Sequence, residues 1–384
     1  RLPDAQTELL AAVSEANPEV VVVLSAGGVV EMPWAGSCRA LVHGYLAGQA
    51  GAGALLDVLT GVVDPSGRLA ETVPLSLDDT PTALTFPGTE RTAEYREGLY
   101  VGYRYYTTAD VPVAFPFGFG LSYTSFEHSD LVVSQDSVQV TVRNTGERDG
   151  ADVVQVYVRR DSAGVHRPDR ELKAFARAEV AAGESVVVTI PLDAKAFRHY
   201  DVETGAWQVE QGEYTVLVGA HVDALGLSAP LTVRGTRSAG QPDPALPCYA
   251  TGRVQSVPDA EFAALLGRPV PQARWTGELG PNDALGRMGT ARSPLARVAH
   301  RVLTWQLRRS EKKGTPDLNT LFLLNMPFRA IGKMTNGWVS TEMVDGIVRV
   351  VNGHLLTGGA ATVRGLVRNL RANRRTARAL RDAS

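Results

Sequence analysis

Nine of the ten acidic side chains between residues 31 and 110 are the first candidates for chemistry. Two carboxyl groups that flank one bond can act as general acid and as nucleophile, and a separation of about 5–5.5 Å is typical when a glycosidic bond is cleaved with retention. The nine are Glu31, Asp57, Asp64, Glu71, Asp78, Asp79, Glu94, Glu97 and Asp110. None has neighbours that clearly raise its pKa or position it as a nucleophile. The sequence therefore assigns no catalytic residue.

The local sequence around several of these acids favours a structural role. Glu97 precedes Gly98 and a tyrosine-rich segment, and Arg104 could pair with it. We favour a buried Glu97–Arg104 ion pair over catalysis. Asp64 begins an Asp-Pro-Ser-Gly turn, in which an aspartate accepts backbone N–H groups. The Asp78-Asp79 pair before Thr-Pro indicates a solvated loop.

A glycine cluster at Gly48, Gly51 and Gly53 lies between a predicted strand and a predicted helix. Backbone N–H groups at such a helix start can hold a phosphate. The spacing is G-x-x-G-x-G, however, which is not the dinucleotide order, and no acidic residue ends a strand about twenty residues later. We therefore favour a tight turn over nucleotide binding.

Other catalytic and metal-binding patterns are weak. Ser122 and Ser125 do not lie in a nucleophile elbow. The seven histidines are scattered, without the i,i+4 pair of a helical zinc site. Cys38 and Cys248 are too few for a disulfide framework or a zinc site, which predicts a cytoplasmic protein. We expect no cofactor and no metal.

Aromatic residues could stack on sugar rings or fill the core. The candidates are Trp34, Tyr45 and the segment from Tyr100 to Tyr106. In a strand, Tyr103 and Tyr105 would share one face and Tyr106 the other. That alternation predicts packing between two layers, and a sugar-facing rim is the alternative.

The elements of residues 1–126 predict a partial α/β sandwich with a parallel sheet. A helix over 4–16 ends at Asn17-Pro18. The β-branched run from Val20 to Leu24 predicts a strand buried on both faces. A second strand from about Ala40 to Tyr45 and a helix through Leu55 to Leu59 follow. Strand, helix and strand in alternation indicate parallel pairing.

Residues 127–235 predict an all-β, immunoglobulin-like sandwich. About seven short runs rich in Val, Tyr and Phe are separated by turn signals such as Asn144-Thr-Gly. The predicted strands are 131–133, 138–142, 153–158, 172–180, 186–190, 207–210 and 214–219.

A linker over 236–257 and a helical tail over 258–384 complete the predicted domains. Ser256 with Asp259 indicates a capping box. Leu295, Val298, Val302 and Leu303 mark one helix. Ser340 can cap another that carries Met343, Val344, Ile347 and Val351 on one face.

The last helix combines a basic row with an apolar side. Arg364, Arg368, Arg371, Arg375 and Arg378 recur at spacings of four and three. Such a helix can bind an anionic membrane or nucleic acid, or it can dock its apolar side on protein. We favour docking on protein, because the helix has no Trp or Phe to anchor it in lipid.

The ordered motifs of this chain resemble the middle and end of family 3 glycoside hydrolases, which include many bacterial β-glucosidases. They are Pro33-Trp34, the segments 48–61, 64–69, 100–106 and 115–123, and then Glu184–Leu192 and Gly212–Val216, which resemble the family's fibronectin-type-III-like domain. Residues 325–354 resemble a carboxyl-terminal tail present in a subset of the family.

The resemblance implies a retaining hydrolase of β-linked glucosides or oligosaccharides. In the family the nucleophile is an Asp in an Asp-Trp segment of an amino-terminal (β/α)₈ barrel, and this chain has no Asp-Trp pair. Residues Arg1–Leu10 resemble the stretch directly after the family's acid/base segment, so both carboxylates would lie upstream of residue 1. Glu8 is on the following helix and takes no catalytic role. We expect an inactive fragment whose partner is the missing barrel, and self-association through the exposed barrel-facing surface.

Composition adds an expectation about partners. The chain has 384 residues, 44% of them hydrophobic and 21% charged, and a formal net charge of −2. That average favours neither nucleic acid nor membrane as a partner. A non-catalytic carbohydrate-binding or interaction module is the alternative to the enzyme fragment.

Overall fold

A computed structural model describes residues 1–86, 93–160, 164–193, 195–238, 240, 243–271, 277–335 and 338–382, with side chains up to residue 376. The described chain forms two compact units, one ending at residue 271 and the other beginning at residue 277. The helices of the first unit are α1 Asp4–Ala16, α2 Gly51–Leu59, α3 Tyr103–Ala109, α4 Pro247–Thr251 and α5 Asp259–Leu266. Its strands are β1 Val21–Leu24, β2 Ala40–His43, β3 Val73–Pro74, β4 Val113–Phe115, β5 Phe126–Val133, β6 Ser137–Asn144, β7 Gly150–Arg160, β8 Glu171–Val180, β9 Ser185–Pro191, β10 Arg198–Asp201, β11 Ala206–Val209, β12 Gly212–Gly219 and β13 Leu227–Val233. The helices of the second unit are α6 Pro294–Glu311, α7 Leu318–Asn325, α8 Ala330–Met334, α9 Thr341–Val351 and α10 Leu355–Asp382.

Strands β1 and β2 are parallel, as the alternation of elements predicts, with Val21 opposite Ala40. Helix α1 precedes them and ends where Asn17 turns extended ahead of a proline. Helix α2 follows β2, so the order of elements over residues 4–59 is the predicted one. The α/β prediction is confirmed for this part of the chain.

Strand β1 differs from its prediction in burial. Leu24 is buried with Met32, Trp34 and Val73 in one core cluster. Val21 and Val23, by contrast, are 48% and 40% exposed. Among the described residues β1 pairs with β2 and with no other strand. The prediction of burial on both faces is wrong, because no described element covers the face of these two valines.

The tyrosine-rich segment is helical, and the predicted strand there is wrong. Helix α3 begins after Gly102, whose positive φ of 57° differs from the extended backbone of a strand. Tyr105 and Tyr106 pack in a core that includes Tyr249, whereas Tyr103 packs against another cluster. Packing on two sides overrides the weak strand preference of aromatic residues.

Residues 126–233 form the predicted β-sandwich. One sheet has the order β5-β6-β9 and the other the order β13-β12-β7-β8, while β10 and β11 form a separate hairpin. Alternate residues of β6, such as Val138, Val140 and Val142, are fully buried between the sheets. Strands β10 and β13 were missed. β13 contains Pro230 and lies at a sheet edge, where a strand proline is tolerated.

The segment predicted as a linker contains ordered structure. Helix α4 lies within it, and Tyr249 on that helix is fully buried. The Tyr249 hydroxyl donates to the Arg96 carbonyl at 2.7 Å, and the Tyr100 hydroxyl donates to the Tyr249 carbonyl. The capping box at Ser256 is wrong, because α5 begins at Asp259 behind Pro258 without a side-chain cap.

The second unit is built from helices, as predicted. Its core contains Met288, Phe328, Val344 and Val351. Helix α9 is capped as expected, because the Ser340 hydroxyl accepts the Met343 N–H at 3.3 Å. The predicted apolar face of α9 is the face that packs into this core.

Helices α9 and α10 approach each other closely at glycines. A Cβ atom on Gly346 would lie 2.4 Å from the Thr362 hydroxyl oxygen and 2.7 Å from the Thr362 nitrogen. Gly358 of α10 has the same restriction, with the Gly346 carbonyl oxygen 2.7 Å from the place of a Cβ. Helix α10 packs on protein as the sequence favoured, but through these glycines and not through its apolar side, because Leu366, Val367 and Leu370 are 37%, 41% and 38% exposed.

Candidate functional site

A cavity of about 730 Å³ in the first unit brings together part of the predicted acidic set. It lies between residues 29–31, residues 70–82 and the start of α3. Val29, Val101 and Phe117 contribute apolar lining, and Thr72 contributes a polar group. Four of the nine candidate acids line it, namely Glu31, Glu71, Asp78 and Glu97.

Glu31 is held as a carboxylate by two donors. The Arg1 Nε atom lies 2.6 Å from one oxygen, and the Leu77 backbone N–H donates to the other at 2.7 Å. The Leu77 hydrogen bond, followed by the Arg1 hydrogen bond, lowers the pKa of Glu31. A general acid needs a raised pKa. Glu31 is therefore suited to fixing the loop at residue 77, and not to protonating a leaving group.

Glu97 is buried beside the same cavity without the predicted partner. Its side chain is 7% exposed. Arg104 instead lies 3.5 Å from Glu171, so the predicted Glu97–Arg104 pair is wrong. No described residue hydrogen-bonds to the Glu97 carboxylate or forms an ion pair with it. The buried Thr72 hydroxyl, also in the cavity wall, has no hydrogen-bond partner among the described residues.

Asp64 and Asp79 have structural roles, although the predicted solvated loop at Asp78-Asp79 is a short helix. Asp64 accepts the Ser122 hydroxyl at 2.8 Å and the Tyr123 N–H at 2.7 Å. It therefore accepts a backbone hydrogen as expected, but from a distant segment, and residues 64–67 do not form the predicted turn. Asp79 accepts the Ser76 N–H at 3.0 Å and completes a capping box on the short helix 77–79. Glu94 pairs with Arg96 at 2.6 Å. Asp57 and Asp110 are exposed and lie away from the cavity lining.

The glycine cluster forms a tight turn. Gly48 has a φ of 70°, and a Cβ on Gly51 would lie 2.4 Å from the Ala47 Cβ. Side chains would clash or strain the backbone at both places. Steric need explains these two glycines without a bound phosphate, as the sequence analysis favoured.

A buried charged cluster centred on Asp152 was not predicted from the sequence. One Asp152 oxygen lies 2.9 Å from Arg68 and the other 2.6 Å from His128. Burial opposes the charge of Asp152, but the His128 hydrogen bond and the charges of His128 and Arg68 lower its pKa. The cluster joins residue 68 of the α/β part to β5 and β7. An aspartate inside a valine-rich strand was the available signal.

Most aromatic candidates fill the core, as predicted. Trp34, Tyr103, Tyr105 and Tyr106 are at most 9% exposed. Burial raises the pKa of Tyr106 to about 12. The sugar-facing rim is therefore not formed by these side chains.

An exposed aromatic pair lies instead on the β10–β11 hairpin, where the sequence analysis did not place one. Tyr200 and Trp207 are 53% and 57% exposed, and their ring centroids are 5.6 Å apart. The Arg198 guanidinium lies 4.2 Å from the Trp207 ring centroid.

Metal-binding and membrane-spanning features are absent from the part of the chain that the structure describes. It contains no group of three or more His, Cys, Asp or Glu side chains that could hold a metal ion. It also contains no helix with the length and hydropathy needed to cross a bilayer. Cys38 and Cys248 are both free thiols.

Two family models match the chain. The glycosyl hydrolase family 3 C-terminal domain matches residues 1–123, and the fibronectin type III-like domain matches residues 152–222. Among curated relatives, thermostable β-glucosidase B of Acetivibrio thermocellus is 43% identical over 243 residues, which are 61% of this chain and 32% of the relative. An exo-α-(1→6)-L-arabinopyranosidase of Bifidobacterium breve is 39% identical over 295 residues, 75% of this chain and 38% of the relative.

Solved structures give the same result. The family 3 β-glucosidase of Bifidobacterium adolescentis matches with a TM-score of 0.59 and 44% identity, over 63% of this chain and 37% of that one. A β-glucosidase of Streptomyces venezuelae in complex with D-glucose matches with a TM-score of 0.58 and 36% identity, over 61% of this chain and 31% of that one. The chain thus spans about a third of the length of the two curated relatives.

Proposed function

Because this chain belongs to glycoside hydrolase family 3, we propose that it is the carboxyl-terminal part of a retaining β-glucosidase-type enzyme and has no activity alone. Coverage carries the proposal: the family's C-terminal domain matches residues 1–123, while the chain spans only 32% of the Acetivibrio β-glucosidase. The intact enzyme would cleave terminal β-linked sugars through a glycosyl-enzyme intermediate without a cofactor. Both catalytic carboxylates would come from polypeptide outside this chain.

The cavity chemistry supports the absence of activity. Retaining cleavage needs one carboxyl kept protonated as the acid and a second ionised as the nucleophile. Glu31 accepts hydrogen bonds from Arg1 and from the Leu77 N–H, and both donors favour its charged form. Glu71 and Asp78 are exposed. No Asp-Trp segment, the family's nucleophile motif, occurs in the sequence. The role we propose for the chain is therefore to support a barrel domain that carries the reaction.

An aryl β-glucoside tests the inactivity directly. We expect no release of the aryl group above the buffer rate when the purified chain is incubated with substrate. Glu97→Gln and Glu31→Gln variants serve as controls for a contaminating hydrolase, which would be unaffected by either change. Turnover by the chain that either substitution abolishes would refute the proposal.

A chimera tests the family role itself. Residues 1–235 of this chain would replace the matching segment of the Acetivibrio β-glucosidase, which is 43% identical over 243 residues. We expect the chimera to hydrolyse the aryl β-glucoside, and the Acetivibrio enzyme lacking that segment to be inactive. A soluble, folded chimera without activity would count against a functional family 3 domain.

The surface that we assign to the barrel is apolar. Leu9 and Val13 on α1, and Leu56 and Leu59 on α2, are between 42% and 65% exposed. Exposed apolar groups of this kind favour association with a partner domain or between copies. We expect concentration-dependent self-association in sedimentation velocity, reduced by Leu9→Lys and Leu56→Lys. A monomer at all concentrations would contradict this.

Carbohydrate binding without catalysis is the second candidate, and the exposed pair Tyr200 and Trp207 favours it. Aromatic faces of this size can stack on sugar rings. Titration with gluco-oligosaccharides should then give a saturable change in tryptophan fluorescence that Trp207→Ala removes. A flat titration would eliminate this candidate.

Cytoplasmic residence, inferred from the small number of cysteines, stays a prediction, which fractionation of the native host would test.

A further inference from the structure

The charge of this chain is distributed unequally along the sequence. Residues 272–384 contain 19 Lys and Arg against 7 Asp and Glu, a net charge of +12. Residues 1–271 contain 20 Lys and Arg against 34 Asp and Glu, a net charge of −14. The near-zero average, from which neither membrane nor nucleic acid was expected as a partner, therefore conceals a strongly basic helical unit.

Helix α6 of this unit has apolar side chains on two different faces. Ala296, Leu303 and their neighbours face the core of the unit. A second row lies about 130° around the helix, at 3.6 residues per turn. Its spacings of three, four and three residues keep its members on one face. These are Leu295, Val298, Val302 and Trp305, with 67%, 54%, 55% and 60% of their surfaces exposed. The sequence pattern predicted the helix but not this outward row.

A basic row borders the apolar row along one side, about 100° around α6. Arg297, Arg301 and Arg308 recur at spacings of four and seven and are all exposed. Arg309 lies over the Trp305 ring, with 5.4 Å between its guanidinium carbon and the ring centroid. Four apolar groups including one tryptophan, bordered by arginines, are the features of a helix that lies in the plane of a bilayer interface.

We propose that the outward face of α6 binds the surface of an anionic lipid bilayer, with Trp305 and the aliphatic row inserted among the acyl chains and the arginines on lipid phosphates. Charge complementarity favours this occupant, since two copies that met through this face would bring two +12 units together. Contact with the −14 unit of another copy would instead appear as self-association without vesicles that Trp305→Ala removes, and that result would assign the face to a second copy. Nucleic acid would engage the arginines but would leave the aliphatic row in water. This binding is independent of the proposed glycosidase role.

Cosedimentation of the full chain with vesicles tests the proposal. We expect binding to phosphatidylcholine vesicles containing about 30% phosphatidylserine and little binding to phosphatidylcholine alone. Binding should weaken strongly between about 0.1 M and about 1 M NaCl, as the screening length falls from about 10 Å to about 3 Å. The double variant Arg301→Gln, Arg308→Gln should bind about 25-fold more weakly.

Trp305→Ala separates insertion from simple charge attraction. We expect this variant to bind about tenfold more weakly, while Trp207→Ala, which removes a tryptophan of similar exposure from the first unit, leaves binding unchanged. Circular dichroism melts of both variants confirm that they are folded. The proposal is overturned if the chain ignores anionic vesicles or if Trp305→Ala binds them as the wild type does. Tight binding of duplex RNA that survives Trp305→Ala, together with absent vesicle binding, would assign the face to nucleic acid instead.

Discussion

Removing the charge of Asp152 should be among the most damaging conservative changes in the first unit. The Asp152 side chain is 3% exposed, and it contacts Arg68 and His128, whose side chains are 10% and 12% exposed. Asp152→Asn keeps the shape but leaves the buried Arg68 guanidinium without its counter-charge. Breaking a buried pair by removing one partner costs about 3–5 kcal/mol, because the remaining charge stays desolvated. Two hydrogen bonds to charged groups, at about 1.5–3 kcal/mol each, give a similar range.

Urea unfolding followed by circular dichroism measures this loss. The matched control is Glu179→Gln, which removes the partner of Arg177 in a pair whose side chains are 78% and 50% exposed. Exposed pairs contribute about 0–1 kcal/mol, so the control should be close to wild type. A loss below about 1 kcal/mol for Asp152→Asn would refute the view that this cluster joins the α/β part to the sandwich.

The pH dependence of the same variant gives a second test. The pKa of Asp152 is lowered in the folded chain below its ordinary value of 3.8. The carboxylate therefore contributes its full stability above that ordinary value, and the contribution is lost as the pH falls through the lowered pKa. The wild type should lose more stability than Asp152→Asn between neutral and acid pH. Equal acid slopes for the two proteins would show that Asp152 is not stabilised as an anion.

Three further outcomes follow from local contacts. Gly346→Ala should destabilise the second unit by more than about 1 kcal/mol in a thermal melt, because the new Cβ would lie 2.4 Å from Thr362. The control Gly359→Ala, whose new Cβ would have no atom within 4 Å, should be neutral or stabilising in the same melt. Glu97→Gln should leave the free energy of unfolding in urea unchanged or raise it by about 1 kcal/mol, because a neutral amide replaces a buried carboxyl group that has no described partner. A large loss of stability would indicate a partner for the carboxyl group. Burial, followed by the hydrogen bond to Glu261, raises the pKa of Cys248 to about 11, so its alkylation by iodoacetamide at about pH 8 should be far slower than that of a free thiol, and rapid labelling would contradict this.

The sequence is sufficient to predict the features that depend on a local pattern of residues. It is not sufficient where packing against distant segments determines the local structure. The Asn17-Pro18 stop and the Ser340 cap were predictable, because each depends on bonds within a few residues. Helix α3 was not, since Tyr105 and Tyr106 gain their burial from Tyr249, far along the chain. Strand β13 was missed because Pro230 is compatible with a strand only at an edge, and edge position is a property of the whole sheet.

The candidate site follows the same division. Asp64 was expected to hold its own turn, but it bonds to residues 58 and 59 positions away, and the cluster at Asp152 likewise needs residues 84 and 24 positions away. The pairing of Arg104 was wrong because it depends on Glu171, a residue of another strand. Helical periodicity marked α6, but it could not tell which apolar residues face the core, since both faces carry them.

The short parallel sheet also limits how copies of this chain can associate. In the described residues each of β1 and β2 has one edge whose backbone groups pair with no other strand, and such an edge can accept a further strand. Two β1 edges related by a two-fold axis run antiparallel and close on themselves as a dimer. A β1 edge that meets a β2 edge continues the parallel order, which leaves both ends free and permits open-ended growth. A discrete dimer or a length distribution in the electron microscope would therefore show whether like edges or unlike edges pair.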